Sequence, residues 1–266
     1  MLITFTTDFG LADSFVGIMK GVIYGIDPSA HVLDLTHGIP PHNILAGALT
    51  LRHAVPYFPA GTAHLAVIDP GVGGSRAPLL IEADGSYFIG PDNGVFSLAL
   101  QGRRVDQIVR LSNSAYQLRP QSLTFQGRDI FAPAAGYLSR GVPPVAFGER
   151  LDALIKLELP AAVRERDCLR GEIIHIDRFG NLFTNIEVGD LRALPEGRLV
   201  IELSGLRIHG LAPSYAAVPA GDFVAVINSW GVLEIAVNCG AAAQRTEAAL
   251  GAKVSVFAAP GGGQSE

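Results

Sequence analysis

The chain has only two cysteines, Cys168 and Cys239, which are isolated in the sequence and form no metal-type spacing. They fit isolated thiols in a reducing compartment, from which a cytoplasmic location is expected. No run of 18 or more uncharged apolar residues occurs, so no transmembrane helix is expected. The opening Met1-Leu2-Ile3-Thr4-Phe5 lacks a basic lead and reaches Asp8 too soon for a secretory signal. Charge is sparse, at 17% of residues with a net charge of −5, and no basic surface favours nucleic acid or an anionic membrane. The seven histidines are scattered without zinc-type spacing, so no metal site is expected.

What is present is apolar residue spread between turns. Across 266 residues, 48% are hydrophobic, enough for an ample core in one large domain or two. Residues 1–160 alternate strand-like and helix-like runs. Leu2 to Phe5 suits a strand buried on both faces, and Phe15, Met19, Val22, Ile23 and Ile26 mark a helix face capped by Asp13 or Ser14. Further strands are expected at Val32 to Leu35, His64 to Ile68, Pro78 to Ala83 and Tyr87 to Ile89. Asn43 should cap a helix running to about Ala54, and Pro91 to Gly94 should open a short helical stretch ending near Leu100. The pattern predicts an α/β domain with a largely parallel central sheet, whose ligand sits beyond the carboxyl ends of the strands. After a charged connector, Arg164 to Arg170, short runs separated by turns predict a smaller antiparallel, barrel-like β domain over 168–258. Residues 259–266 read as a flexible tail.

Several segments could carry chemistry. Val67-Ile68-Asp69-Pro70-Gly71-Val72-Gly73-Gly74-Ser75-Arg76 delivers one acid into a glycine-rich turn that returns a guanidinium. An acid there discourages phosphate, whereas a carboxylate beside Arg76 suits the orientation and polarisation of water. A plain turn with a structural Asp-Arg pair accounts for the loop equally well. Asp8 follows the first strand directly and could accept two hydroxyl hydrogens of a ribose, serve as a turn residue, or join a metal site of the phosphohydrolase kind. Phe9, where a second acid would complete hard-cation ligation, weakens the last reading. Thr124 to Asp129 is a glycine-containing turn before a helical segment. Asp177 to Asn181 and Asn228 to Gly231 are polar turns in the β domain, and the second holds the one Trp of the chain.

Taken in order, Thr6 to Gly10, Asp34 to His37 with Ile39 to Pro41, Val67 to Arg76, Pro91 to Gly94, Thr124 to Ala132, and Ile176 to Ile186 with Ile227 to Asn238 resemble the S-adenosyl-L-methionine hydroxide adenosyltransferases. These adenosine-forming S-adenosylmethionine hydrolases are related to the fluorinases and chlorinases. The resemblance implies an N-terminal α/β domain, a C-terminal β domain, a homotrimer with sites between neighbouring subunits, and no metal or other cofactor. The reaction it implies is in-line attack by water or hydroxide at C5′ of the ribose, with neutral methionine leaving.

By the same resemblance, Asp69, Arg76 and Gln126 surround the attacking water, Asp8 holds the ribose, and Asn181 holds the adenine with Phe179 or Phe183 stacking nearby. Asp177 and Asp13 receive the ammonium, Ser229 and the Trp230 backbone receive the carboxylate, and Asn238 adds to the adenine pocket. Asp69 favours the hydrolase branch, because a carboxylate would repel a halide. Three positions depart from the family pattern: Gln126 stands where it has His, Asn43 where it often has Asp, and Trp230 at a variable site. Glutamine has no proton to exchange near neutrality, which leaves open a catalytically weakened binder of S-adenosylmethionine or adenosine. A halogenase and a metal-dependent phosphohydrolase are the remaining, less favoured alternatives.

Overall fold

The computed structural model describes residues 1–195 and 197–259. The chain divides into two compact units, Met1–Glu158 and Leu159–Glu266.

In the first unit, β1 (Leu2–Thr7), β2 (His31–Thr36), β3 (Ala63–Val67), β4 (Pro78–Ala83), β5 (Ser86–Pro91), β6 (Val105–Arg110) and β7 (Arg150–Leu151) form one sheet. Their order is β2-β1-β3-β5-β4-β6-β7. β2, β1, β3 and β5 run parallel, whereas β4, β6 and β7 join antiparallel, so the sheet is mixed. The change of direction comes from the Asp84-Gly85 turn, whose φ values of 45° and 72° suit a two-residue hairpin between β4 and β5.

Alternation along β3 divides the core. Leu65 and Val67 face a cluster with Ile3, Phe5 and the helices α1 (Phe15–Ile26) and α3 (Ala132–Ser139), while Ala66 and Ile68 face a second cluster with α2 (Ile44–Ala54). Helices on both faces explain why the inner strands are continuously apolar. Asn43 caps α2, its Oδ1 accepting the Ala46 N–H at 2.9 Å. At α1 the expected cap is absent. Ser14 occupies the position but is already helical, with φ −78° and ψ −2°, and no side chain caps the helix. Val16, Met19 and Ile23 make the buried face, while Phe15 is 42% exposed. Residues 94–100 are successive turns rather than a helix: Val95, Phe96, Leu98, Ala99 and Leu100 are all buried, which a one-sided helix does not permit.

β1 leads through α1 to β2 on one side, and the chain then crosses to β3 on the other side of β1. That reversal opens a crevice beyond the carboxyl ends of β1 and β3, where ligands of open α/β sheets bind. Thr7 and Val67 are register partners, so Asp8 and Asp69 emerge from adjacent strand ends.

The second unit holds β8 (Val163–Glu165), β9 (Cys168–Ile176), β10 (Leu182–Glu187), β11 (Arg198–Leu203), β12 (Leu206–His209), β13 (Phe223–Ile227), β14 (Val232–Val237) and β15 (Lys253–Ala259), with short helices α4 (Val188–Arg192) and α5 (Ala242–Thr246). The sheet is antiparallel in the order β12-β11-β15-β9-β10-β14-β13, with β8 on β9. Ala212, just beyond β12, donates its N–H to Ala225 O of β13 at 2.8 Å, which nearly closes the sheet into a barrel. Leu169, Ile173, Leu182, Ile201, Leu233, Ile235 and Val254 fill its interior.

Two expectations need correction here. Arg164 to Arg170 is a hairpin, not a connector: β8 is an exposed edge strand, so it lacks the apolar alternation that marks a half-buried one. Ala259 ends β15, and the rest of the expected tail, 260–266, lies outside the described residues.

Candidate active site

The loop after β3 is shaped by its glycines. Val72 N–H donates to Asp69 O, and Gly74 N–H to Gly71 O, which folds the loop back on itself. Gly73 has φ 77°, and a Cβ there would stand 2.6 Å from Leu123 O, so only glycine lets the segment before Gln126 approach this closely. The contact brings residues 69–76 against residues 123–126. Gln126 precedes a π-helical turn, Gly127–Phe131, that runs into α3. Such turns recur at functional sites because they re-aim side chains out of the regular helical register.

Arg76 joins the two segments. Its Nε donates to Asp69 Oδ1 at 3.0 Å and to Oδ2 at 3.1 Å, and its Nη2 donates to Asp69 Oδ2 at 2.5 Å. The same Nη2 donates to Gln126 Oε1 at 2.5 Å. The Asp69 and Arg76 side chains are only 5% and 8% exposed, so water screens this pair little. The three residues expected around the nucleophile are therefore neighbours. Asp69 and Gln126 line a pocket of about 220 Å³ whose other walls include Phe9, Phe15, Val67, Val72, Thr124 and Phe125. Phe9, Phe15 and Phe125 meet edge to face, with centroids 5.2 to 6.3 Å apart. A polar pair in an aromatic-walled pocket can hold one small polar molecule while stripping most of its hydration.

Asp8 lies beside this loop's strand. His42, at φ 66°, donates its backbone N–H to Asp8 Oδ2 at 2.8 Å, and Gly10 N–H donates to His37 O, tying the two loops together. Asp8 Oδ1 makes no hydrogen bond to another described residue. Asp13 is exposed in the turn before α1.

The remaining expected residues all lie in the second unit. Asp177 serves its own turn: Oδ1 accepts the N–H groups of Phe179 and Asn181, and Oδ2 accepts Asn181 Nδ2 at 3.3 Å. Phe179, Asn181 and Asn238 line one pocket of about 350 Å³, with Tyr215, Val237, Cys239 and Gly240. Phe183 is buried instead against Trp230 and His175, at centroid distances of 4.8 and 5.3 Å. Burial holds the His175 pKa below its ordinary value. Ser229 is exposed on its turn, and the Trp230 N–H, expected to meet a carboxylate, donates to Asn228 Oδ1 at 2.9 Å.

Sequence reasoning assigns no role to Phe15, Val72 or Tyr215. Phe15 reads in the sequence as part of the apolar face of α1, and its exposure and place on the pocket wall appear only in the structure. Val72 belongs to the glycine-rich loop already singled out, and Tyr215, which opens a short 3-10 turn, carries no such signal. Among the described residues, no group of three or more His, Cys, Asp or Glu is placed to hold a metal. No helix among them is long and apolar enough to cross a membrane.

The family models for the SAM hydroxide adenosyltransferase N-terminal and C-terminal domains match residues 3–148 and 171–255. The chain belongs to the SAM hydroxide adenosyltransferase family. It is 37% identical to the (R)-S-adenosyl-L-methionine hydrolase of Salinispora tropica, over 96% of this chain and 97% of that one. It is 38% identical to the protein of the same name from Thermus thermophilus, over 94% and 95% of the two chains. A fluorinase from Actinoplanes is 27% identical over 96% of this chain and 97% of its own. A solved structure of an uncharacterized conserved protein from Thermotoga maritima superposes with a TM-score of 0.88 at 34% identity, covering 96% of this chain and 99% of that one. Within this adenosyltransferase chain, Asp69 and Gln126 mark one pocket and Asn181 and Asn238 the other.

Proposed function

We propose that the protein hydrolyses S-adenosyl-L-methionine to adenosine and L-methionine. The observation that carries this reading is the Arg76 guanidinium bridging Asp69 and Gln126 on the wall of an aromatic pocket, in a chain whose relatives are named as hydrolases of that substrate. Water oxygen attacks C5′ of the ribose, the C5′–S bond breaks, and its electron pair stays on sulfur, so methionine leaves neutral. Positive charge moves from the sulfonium to the attacking oxygen as the reaction proceeds. Asp69, negative and buried beside that oxygen, stabilises the transition state more than the ground state, and it accepts the hydrogen bond of the proton being shed. A halide in the same pocket would meet repulsion from Asp69, which supports hydrolysis over halogenation.

Asp8 receives the ribose diol, and Phe179, Asn181 and Asn238 receive the adenine. Asp13 and Asp177 compensate the ammonium charge, Ser229 and Trp230 lie at the carboxylate end, and Phe183 backs the aromatic wall. We place the complete sites between neighbouring subunits of a homotrimer in the cytoplasm, with no metal or other cofactor; light scattering in solution tests the trimer.

The decisive assay is incubation of purified protein with S-adenosyl-L-methionine, resolved into the (R) and (S) sulfonium epimers, with chromatography of the products. Stoichiometric adenosine and methionine supports the proposal. Tight adenosine binding with no turnover over hours would make the protein a binder, the reading that Gln126 in place of histidine favours. Loss of activity on EDTA treatment would bring back the metal-dependent reading.

A further inference from the structure

The second unit contains a buried acid that the reaction does not use. Glu234, in the middle of β14, is fully buried. Cross-strand register places it in one row with His175 of β9, Phe183 of β10 and Val226 of β13. This row lies on the face opposite the interior cluster, beside Val224, Val226 and Ala236, which the segment containing Ala212 and Val218 covers. Tyr215 belongs to the same covering segment, and its hydroxyl donates to Glu234 Oε1 at 2.7 Å. Glu234 Oε2 is buried as well, with the Asn228 amide beside it.

As a structural element this arrangement is costly. A valine or leucine at 234 would continue the apolar strip, and replacing a buried charge with an apolar side chain is often stabilising. Burial, reinforced by the negative charge of Asp177, pushes the Glu234 carboxyl above its ordinary pKa, while Tyr215 and the nearby Asn228 amide pull the other way. Burial, the bond to Glu234 and the charges of Glu234 and Asp177 together hold the Tyr215 phenol well above its ordinary value. What the acid achieves is the placement of one ring. Tyr215 is 41% exposed and forms a wall of the pocket that Phe179, Asn181 and Asn238 line. Its position is fixed at the hydroxyl end by Glu234.

We propose that Glu234 is a positioning residue for purine recognition: its carboxylate clamps the Tyr215 hydroxyl so that the ring stands as a preformed wall of the adenosine pocket. This rests on the proposed function. Preorganisation of this kind acts on binding of the adenosyl group and leaves the chemical step alone.

The test uses Glu234→Leu, Glu234→Gln, Tyr215→Phe and the Glu234→Leu/Tyr215→Phe double variant, each read three ways. Adenosine affinity and KM for S-adenosylmethionine should weaken about tenfold in Glu234→Leu and in Tyr215→Phe, with kcat changed less than twofold, the size expected for one lost hydrogen bond to a charged acceptor. The double variant should lose no more than either single one. Glu234→Gln, which keeps an acceptor, should restore most of the affinity. Melting temperature should hold or rise in Glu234→Leu, which a merely structural role would not give. Tyr87 and Tyr215 both ionise late, and ultraviolet titration should show the Tyr215 ionisation move down in Glu234→Leu while staying above the ordinary range, because burial remains and only the contribution of Glu234 is lost. This reads the clamp without any ligand. Wild-type affinity in Glu234→Leu, or additive losses in the double variant, would overturn the proposal. A wild type that shows the late Tyr215 ionisation but neither binds adenosine nor turns over S-adenosylmethionine would overturn the functional reading instead, and with it the purine assignment.

Discussion

Arg76 Nη2 donates to Gln126 Oε1 at 2.5 Å while the same guanidinium is locked onto Asp69. The amide oxygen of Gln126 is thus directed at a cation, and the Gln126 NH2 group is what remains for other partners. Glutamine here supplies a donor and an anchor for Arg76 and cannot act as a base. In the proposed reaction that leaves Asp69 to accept the proton of the attacking water.

Asp69→Asn should therefore lower adenosine release by about 10²–10⁴-fold, the usual share of a positioned proton acceptor. Binding of S-adenosylmethionine should change only a few-fold, because the ground state does not use the polarised water. Single-turnover rates and calorimetry on the same preparation separate the two. A near wild-type rate would remove Asp69 from water activation.

Gln126→His should raise the rate and add an acid limb to the pH profile that the wild type lacks at this position. A neutral imidazole can accept from Arg76 as glutamine does, whereas an imidazolium beside that guanidinium would repel it. The comparison is kcat/KM from pH 5.5 to 8.5 for both proteins. Identical profiles would show that position 126 only spaces the two loops.

Much of this site was legible because its chemistry sits at strand ends. Asp69 follows a continuously apolar run and Asp8 a strand-like run of apolar residues and threonines, and the residue that ends such a run comes out at the crevice. The pairing of Asp69 with Arg76 was legible in the loop that carries both, whereas the approach of Gln126 to them was not. It depends on Gly73 letting Leu123 approach and on the π-helical turn after Gln126, both tertiary facts. β8 escaped notice because an exposed edge strand has no apolar alternation, and residues 94–100 misled because buried turns can be as apolar as a helix. Tyr215 and Glu234 become partners only when the covering segment folds over β14, a contact between residues 19 positions apart.

Arg76→Lys tests the fork geometry alone. An ammonium keeps the charge but cannot place parallel N–H groups on Asp69 and reach Gln126 as well. The expected result is a fall in kcat of roughly tenfold or more, consistent with one or two lost charge-assisted hydrogen bonds, while adenosine affinity, which the proposed function assigns to Asp8 and the second-unit pocket, changes little. Unaltered kcat would show that Arg76 acts only as a charge.

His64 gives the protein a stability that depends on pH. The ring is 1% exposed on β3, its Nδ1 pairs with Thr4 Oγ1 at 2.9 Å, its Nε2 has no hydrogen-bond partner among the described residues, and it packs against Phe58 and Phe88. Burial, aided by the charge of Arg103, lowers its pKa from 6.5 to about 4. The folded state thus binds fewer protons than the unfolded state between those values, and protonation favours unfolding. The contribution is fully present above pH 6.5, declines as pH falls, and is gone below about 4. At about 1.4 kcal/mol per unit the span is on the order of 3 kcal/mol. Urea midpoints measured from pH 7.5 to 4 should fall more steeply for the wild type than for His64→Gln, which cannot titrate. The two curves should converge toward pH 4, with the variant's lower stability at neutral pH reflecting its poorer fit against the two phenylalanines. Parallel curves across that range would mean that His64 titrates alike in both states and that the ring is reached by water.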